Sequence, residues 1–250
     1  MLCHWTHTLS CFARRLLDKR FRALGHERST IATWLDEAGY DTILAGKYLN
    51  RYDDTTHVPR GWDRWNGYLG TYYGDTYRIN ENGTIKTYNQ SQIHDTDLFA
   101  NKAEAFIRNT AGGAPFFMHL SPNAPHAPAH YAKRHANMFS NQPLPKPPSF
   151  NERDVSDKPG WVRDKPRLSS TQVSDMTQFY RQRLRALQSV DEMVGRLVGA
   201  LKGTGQLSNT YIVFTSDNGF HLGVHRLGEK ASAYEEAIRV PLLVRGPGVS

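Results

Sequence analysis

Cysteines and long apolar segments are nearly absent from this sequence. Only 2 of its 250 residues are cysteines, and Cys3 and Cys11 provide neither a disulfide framework nor a metal-binding spacing. No apolar run approaches the roughly 20 residues of a membrane-spanning helix, so we expect no membrane span. Lysine and arginine form no long block, and no nucleic-acid-binding module is recognisable. We therefore expect no nucleic acid partner.

The composition that remains is typical of a globular protein. Hydrophobic residues make up 39% of the chain and charged residues 22%. A length of 250 residues suffices for one large domain or two small ones. The formal net charge of +7 suits an anionic partner, such as a sulfated or phosphorylated substrate. It is equally compatible with a basic surface that has no special partner.

Residues 1–28 differ from the rest of the chain. They hold six lysines and arginines against only Asp18 and Glu27, and they lack the apolar core and the small-residue cleavage site of a secretory signal. We interpret residues 1–28 as an atypical leader, disordered or misread. A folded domain is expected over residues 29–250.

Alternating helical and strand patterns across residues 29–250 predict an α/β fold. The expected helices are residues 31–38, behind the N-cap Ser29, then Asp95–Asn109 and Asp175–Leu201. The expected strands are Asp41–Ala45, Pro115–Leu120, Tyr211–Phe214 and Val240–Val244. We expect the third of these strands to be buried, because it is rich in β-branched and aromatic residues.

The segments between these elements are predicted to be irregular. Residues 50–92 form a loop-rich region with a hairpin near Asn80–Thr87. Residues 140–170 are rich in proline and charge, and we interpret them as a loop at the rim of an active site. In the last helix we expect Arg181, Arg183 and Arg185 to be solvated.

Candidate site residues follow three of the strands, at the position where open α/β sheets bind ligands. Lys47 ends the first strand, and His126 lies between two prolines after the second. Asp217 and Asn218 follow the third and offer the hard oxygen atoms that Ca²⁺ or Mg²⁺ prefers. Each has an ordinary alternative, because most lysines are solvated, most lone histidines are structural and Ser-Asp-Asn-Gly is also a β-turn sequence.

Taken in order, these motifs resemble the sulfatase family over about residues 27–250. The resemblance rests on Gly46-Lys47-Tyr48-Leu49-Asn50, Pro125-His126-Ala127-Pro128, and Thr215-Ser-Asp-Asn-Gly219 with Gly228-Glu-Lys230 downstream. Many members carry a histidine two residues after the lysine. The glucosamine-6-sulfatase-like branch lacks it, as does this chain at Leu49. The implied fold is alkaline-phosphatase-like, a mixed, mostly parallel sheet with helices on both faces.

The resemblance also implies a role for each candidate residue in hydrolysing sulfate esters of glycans or aryl compounds. Asp217 and Asn218 would hold a divalent ion, Ca²⁺ by family and Mg²⁺ as the alternative. Lys47 and Lys230 would pair with sulfate oxygens, and His126 would bind the sulfate or protonate the leaving oxygen. His221 and His225 are expected to line the pocket.

The family's nucleophile, a formylglycine made within a Cys/Ser-x-Pro-x-Arg motif, has no match in the sequence. Cys11 and Arg15 have the spacing without the proline, and the two N-terminal aspartates of the family's metal site are absent too. We therefore expect a partial sulfatase catalytic domain over residues 29–250, with little or no turnover.

Two alternatives stay open at this stage. One is a non-catalytic basic remnant that binds sulfated polyanions. The other is a related phosphodiesterase or phosphatase, against which the single Asp-Asn pair and the two lysines argue. Family members are typically secreted, periplasmic or lysosomal. The sequence itself indicates neither a compartment nor an oligomeric state.

Overall fold

The computed structural model describes residues 17–53, 55–70 and 74–249. The chain divides into two compact units, which we describe separately. Unit 1 consists of Met1–Ala136 and Arg185–Gln206, and unit 2 of Asn137–Leu184 and Leu207–Ser250. Among the described residues, no helix is both long and apolar enough to cross a membrane.

The helices and strands agree in order with the α/β prediction. The helices are α1 (residues 17–23), α2 (Ile31–Glu37), α3 (Asp95–Thr110), α4 (Gly160–Arg163), α5 (Ser170–Gly203) and α6 (Glu235–Ile238). The strands are β1 (Asp41–Gly46), β2 (Arg64–Leu69), β3 (Thr76–Glu81), β4 (Thr84–Asn89), β5 (Phe116–Ser121), β6 (Ile212–Thr215), β7 (His221–Leu222), β8 (Gly228–Glu229) and β9 (Leu242–Arg245).

Unit 1 is built on a five-stranded sheet with the order β4-β3-β2-β1-β5. Strand β1 pairs in parallel with both β2 and β5. Strand β3 is antiparallel to its two neighbours, so β1, β2, β4 and β5 all run in one direction. The expectation of a mixed, mostly parallel sheet is therefore confirmed. The hairpin predicted near Asn80–Thr87 is formed by β3 and β4.

The two faces of the unit 1 sheet bury different clusters, because successive side chains of a strand point to opposite sides. Ala45 of β1 packs with Ile79 and with Phe99 of α3. Its neighbour Leu44 packs instead with Tyr52 and Trp65. Full burial of one such large apolar side chain contributes about 1.5–3 kcal/mol. Helix α3 covers one face, and aromatic residues that follow β1 cover the other.

The part of the presumed leader that the structure describes is folded. Residues 17–23 are helical, and the backbone N–H of Asp18 donates to the carbonyl of Asn50 at 3.2 Å. Nε2 of His57 lies 2.9 and 3.0 Å from the two carboxylate oxygens of Glu27. The expectation of disorder therefore does not hold for residues 17–28, because these contacts fix them to the sheet unit. Residues 1–16, with Cys3 and Cys11, lie outside the described residues.

Unit 2 carries two small antiparallel sheets, β6 with β9 and β7 with β8. Val155, Val162 and Leu227 form a buried cluster beneath Tyr234. The prediction that the Tyr211–Phe214 strand is buried is wrong. Val213 is 59% exposed and Leu242, on the paired strand, 69%. Within the described residues β6 pairs only with β9, so this two-stranded sheet leaves apolar side chains accessible.

Candidate functional site

In unit 1, Lys47 lies where two parallel strands end side by side. Gly46 of β1 stands opposite Ser121 of β5. The Lys47 N–H donates to the Ser121 carbonyl at 2.8 Å, and the Ser121 hydroxyl donates back to the Lys47 carbonyl at 2.6 Å. These bonds fix the backbone of Lys47, whose side chain is exposed. Sequence reasoning did not single out Ser121, although its place at the end of a parallel strand was a signal for it.

His126 occupies a tight turn after β5. Its N–H donates to the Asn123 carbonyl at 2.7 Å, and its own carbonyl accepts from the Ala129 N–H at 2.7 Å. Ring atom Nδ1 lies 2.7 Å from the Ala127 carbonyl oxygen, so Nδ1 carries a proton and donates it there. Nε2 is left as the ring nitrogen for a ligand, and the side chain is exposed.

In unit 2, the turn after β6 carries Asp217 and Asn218. The Gly219 N–H donates to the Ala237 carbonyl at 2.9 Å, and a Cβ on Gly219 would lie 2.1 Å from the Glu236 carbonyl oxygen. Only glycine fits so close to another backbone segment. This contact fixes the turn against α6 and leaves the Asp217 carboxylate exposed.

Lys230 meets the same turn from the end of β8. Its Nζ donates to Oδ1 of Asn218 at 3.0 Å. The other end of the Asn218 amide donates from Nδ2 to the Gly219 carbonyl at 2.8 Å, so the amide orientation follows from its partners. The structure thus brings together two residues that the sequence analysis named separately.

The two candidate histidines of unit 2 have partners inside this unit. His221 is 1% exposed, and its Nε2 lies 2.6 Å from the Ser232 hydroxyl. Burial lowers the pKa of His221 below its ordinary value. Nδ1 of His225 lies 2.6 Å from a carboxylate oxygen of Glu152, and its ring centroid is 4.4 Å from that of Tyr234. A pocket-lining role for these histidines stays a prediction.

The oxygen atoms at the β6 turn suit a hard cation but would form only part of a coordination shell. Ca²⁺ takes 6–8 oxygen ligands, whereas this turn offers the side chains of Asp217 and Asn218. Among the described residues, no group of three His, Cys, Asp or Glu side chains could hold a metal ion. Oδ1 of Asn218 already accepts a hydrogen bond from one cation, the ammonium group of Lys230.

Comparison with known proteins places the chain in a family. The sequence model of the sulfatase family matches residues 6–250. An arylsulfatase from Volvox carteri is 36% identical over 259 residues, a match that covers 92% of this chain and 39% of the relative. The chain belongs to the sulfatase family. The matched region begins at residue 6, and it therefore includes most of the presumed leader.

Two further comparisons concern the branch of the sulfatase family that the chain resembles and its fold. An N-acetylglucosamine-6-sulfatase from Capra hircus is 38% identical over 220 residues, covering 84% of this chain and 39% of the relative. A solved protein in complex with its substrate D-glucosamine-2-N,6-O-disulfate has a TM-score of 0.68 and 26% identity. That match covers 88% of this chain and 55% of the solved one. The chain thus spans about two fifths of the length of these curated relatives.

Proposed function

We propose that this protein acts in the hydrolysis of sulfate esters and that its substrates are sulfated glycans. The observation that carries the proposal is the Lys230–Asn218 contact of 3.0 Å, which holds an ammonium group at the turn after β6. Family membership supports the reaction class. The glucosamine substrate of one structural neighbour and the N-acetylglucosamine-6-sulfatase relative support the substrate class.

The two lysines are proposed to neutralise sulfate oxygens. An ammonium is a compact point charge that pairs well with such an anion, and removal of a single oxyanion contact in an enzyme costs about 10²–10³ in rate. Lys230 has this role in unit 2, and Lys47 has it in unit 1. The hydrogen bonds to Ser121 hold the backbone of Lys47 in place, and the exposed side chain extends from this fixed backbone toward an anion.

His126 is proposed to donate a proton to the leaving oxygen. Nδ1 is already engaged as a donor to the Ala127 carbonyl, so Nε2 is the atom that would transfer the proton. Donation from Nε2 requires the doubly protonated ring, and such general acid catalysis contributes about 10²–10⁴ in rate.

Asp217 and Asn218 are proposed to hold a divalent ion, Ca²⁺ or else Mg²⁺. When bound, such an ion would supply positive charge to the sulfate oxygens. The residues would provide a carboxylate and an amide oxygen, both hard ligands. Lys230 would then share Asn218 with the ion or turn to the sulfate.

Binding is the first test, because the expectation of little or no turnover stays a prediction. We would titrate the purified chain calorimetrically with glucosamine 6-sulfate and with unsulfated glucosamine. Lys230→Met should weaken binding of the sulfated sugar about tenfold or more. Lys165→Met is the matched control, because Lys165 is an exposed lysine of unit 2. Equal effects of the two variants would contradict the proposed role of Lys230.

Turnover then separates the enzyme from the binding alternative. Release of inorganic sulfate from the same sugar, reduced in Lys47→Met, Lys230→Met and His126→Gln, would support catalysis by these groups. Salt-sensitive binding of heparin without sulfate release would support the non-catalytic polyanion binder instead.

A further inference from the structure

An arginine of unit 2 that was expected to be solvated is packed on aromatic rings. The guanidinium carbon of Arg183 lies 4.5 Å from the centroid of the Phe220 ring and 5.6 Å from that of Phe179. The two rings are themselves 5.6 Å apart. Arg183 lies four residues after Phe179 and seven after Met176, on the apolar face of α5, so the expectation that it is solvated is wrong.

Arg183 has no anionic partner in the described part of unit 2. No carboxylate lies within ion-pair distance of it there, and desolvation by burial is the only influence that lowers its pKa. Burying half of a cation without a counter-charge destabilises the folded state. Stacking of the cation on aromatic faces offsets only about 0.5–2 kcal/mol of that loss. A charge held in this way is suited to an anion that arrives with a ligand.

Both rings also line an open concavity of about 450 Å³ in unit 2. Met176 and Leu222 add apolar surface to the lining, and Gln172, Asp175 and Arg226 add polar groups. The guanidinium of Arg226 is already engaged, because it donates to three backbone carbonyls. A lining that combines aromatic rings with an amide and a carboxylate suits a pyranose, whose C–H face packs on an aromatic ring while its hydroxyls bond to the polar side chains. A flat aryl group would leave the polar side chains of the lining without partners.

The concavity adjoins the turn described above, because Phe220 follows Asn218 by two residues and His221 is part of the lining. We propose that this concavity is a subsite for one sugar residue of an anionic glycan, with Phe179 and Phe220 as its platform and Arg183 as the charge that favours sulfated sugars. The inference rests on the proposed function and extends it to a second sugar.

The expected size of the charge effect follows from distance. Arg183 does not line the concavity itself, so its charge acts from beside the Phe220 ring, whose centroid is 4.5 Å from the guanidinium carbon. Salt screens exposed charges over a Debye length of about 8 Å at physiological ionic strength. The effect of the charge should therefore be moderate and should shrink as salt is added. The platform itself should matter for sulfated and unsulfated sugars alike.

The test uses the whole chain and a glucosamine-containing disaccharide in 6-sulfated and unsulfated forms. Arg183→Met should weaken binding of the sulfated form about three- to tenfold and leave the unsulfated form unchanged. Phe220→Leu, which keeps an apolar side chain but removes the ring, should weaken both forms. Arg185→Met is the matched control, because Arg185 also stacks on a ring, that of Tyr131 at 5.3 Å, and it should alter neither.

Several outcomes would overturn the subsite. One is an equal loss of affinity in Arg183→Met and Arg185→Met, and another is an equal loss for both sugar forms in Arg183→Met. A third is a Phe220→Leu protein that binds nitrophenyl sulfate more weakly than the parent but binds the disaccharides as well as the parent does. If Phe220→Leu melts early, Phe220→Tyr keeps a ring and should retain sugar binding. Failure of the proposed function shows differently, as loss of the Lys230→Met effect on glucosamine 6-sulfate while Phe220→Leu still weakens the unsulfated disaccharide.

Discussion

Gly46 and Ser121 stand opposite each other at the ends of β1 and β5, and a Cβ on Gly46 would lie 2.2 Å from the Ser121 carbonyl oxygen. Gly46 also has a φ of 128°, a conformation that residues with side chains rarely adopt. Ser121 makes both hydrogen bonds that fix the backbone of Lys47, and Gly46 is the residue directly before Lys47. A packing requirement and a candidate binding residue are therefore adjacent in the sequence.

Gly46→Ala should destabilise the protein by about 2–4 kcal/mol, because the added methyl group meets backbone and the φ is strained. The free energy of unfolding in urea measures this loss. Gly195→Ala is the matched control. Gly195 lies inside α5, and a methyl group added to it would have nothing within 4 Å, so alanine should add about 0.5–1 kcal/mol of stability there. A Gly46→Ala protein as stable as the parent would show that β1 and β5 do not approach so closely.

A second prediction concerns acid stability and His221. Burial holds the pKa of His221 below its ordinary value, so the folded state favours the neutral ring. Its contribution to stability is present above the unfolded pKa of about 6.5 and is lost as the pH falls through the lower folded pKa. The melting temperature should therefore drop between pH 7 and pH 5, and less steeply in His221→Gln.

His126→Gln is the control for this pH series, since the His126 side chain is exposed. Its melting temperature should follow the parent at every pH. His119 and His130 also have pKa values lowered by burial, so part of the acid sensitivity should remain in His221→Gln. An unchanged pH slope in that variant would rule out His221 as a source of it.

A third prediction concerns the ion pair of Asp97 and Arg134 in unit 1. Burial alone would raise the pKa of Asp97, but its hydrogen bonds to Arg134 outweigh burial and the pKa lies below its ordinary value. The pairing is bidentate, at 2.7 and 2.8 Å, and partly exposed. Asp97→Asn should cost about 1–2 kcal/mol at pH 7. The difference should begin to shrink below the unfolded pKa of about 3.9 and should vanish once the pH has fallen through the lower folded pKa.

Urea unfolding at pH 7 and at a series of acid pH values down to about pH 2 measures this difference. Asp36→Asn serves as the comparison, because Asp36 is an exposed residue of α2 and its replacement should change stability by less than about 0.5 kcal/mol. A loss for Asp97→Asn that stays constant over the whole acid series would mean that packing, and not the charge pair, is responsible.

The strands and helices that could be predicted are those whose apolar residues show a clear strand or helix pattern within the segment itself. Strands β1 and β5 each contain a short apolar run, and α3 has helical spacing, so each is found within a residue or two of its predicted bounds. Strand β2 was missed because Asn66 and Gly67 interrupt any apolar pattern. Gly67 is needed because a Cβ there would lie 2.6 Å from the indole nitrogen of Trp65, a contact that no local pattern reveals.

The candidate site was predictable by residue type but not by contact. Strand ends and turn residues pointed to Asp217 and Asn218, and the family resemblance added Lys230. The bond between Lys230 and Asn218 depends on how the chain from β7 to β8 returns, and the sequence pattern does not encode that path. The contact of Arg183 with Phe179, four residues earlier on the same helix face, could have been predicted from spacing. Its contact with Phe220, 37 positions further along the chain, could not.

The fourth prediction follows from the accessible apolar strands of unit 2. Leu242 and Leu243 are 69% and 61% exposed, and they belong to a two-stranded sheet whose outer edges have no partner strand among the described residues. Flat, apolar strand edges of this kind recruit further strands from other molecules. Leu242→Lys should therefore reduce concentration-dependent self-association, measured by sedimentation velocity, while changing stability by less than about 0.5 kcal/mol.

Ile31→Lys is the control that separates pairing at a strand edge from non-specific hydrophobic association. Ile31 is 56% exposed, but it lies at the start of helix α2, where no strand edge is available. Lysine at position 31 removes a comparable apolar surface and adds the same charge. If self-association falls equally in both variants, exposed apolar area or net charge drives it. If it falls only in Leu242→Lys, the β6–β9 edge is the contact, because a lysine on an edge strand blocks pairing specifically there.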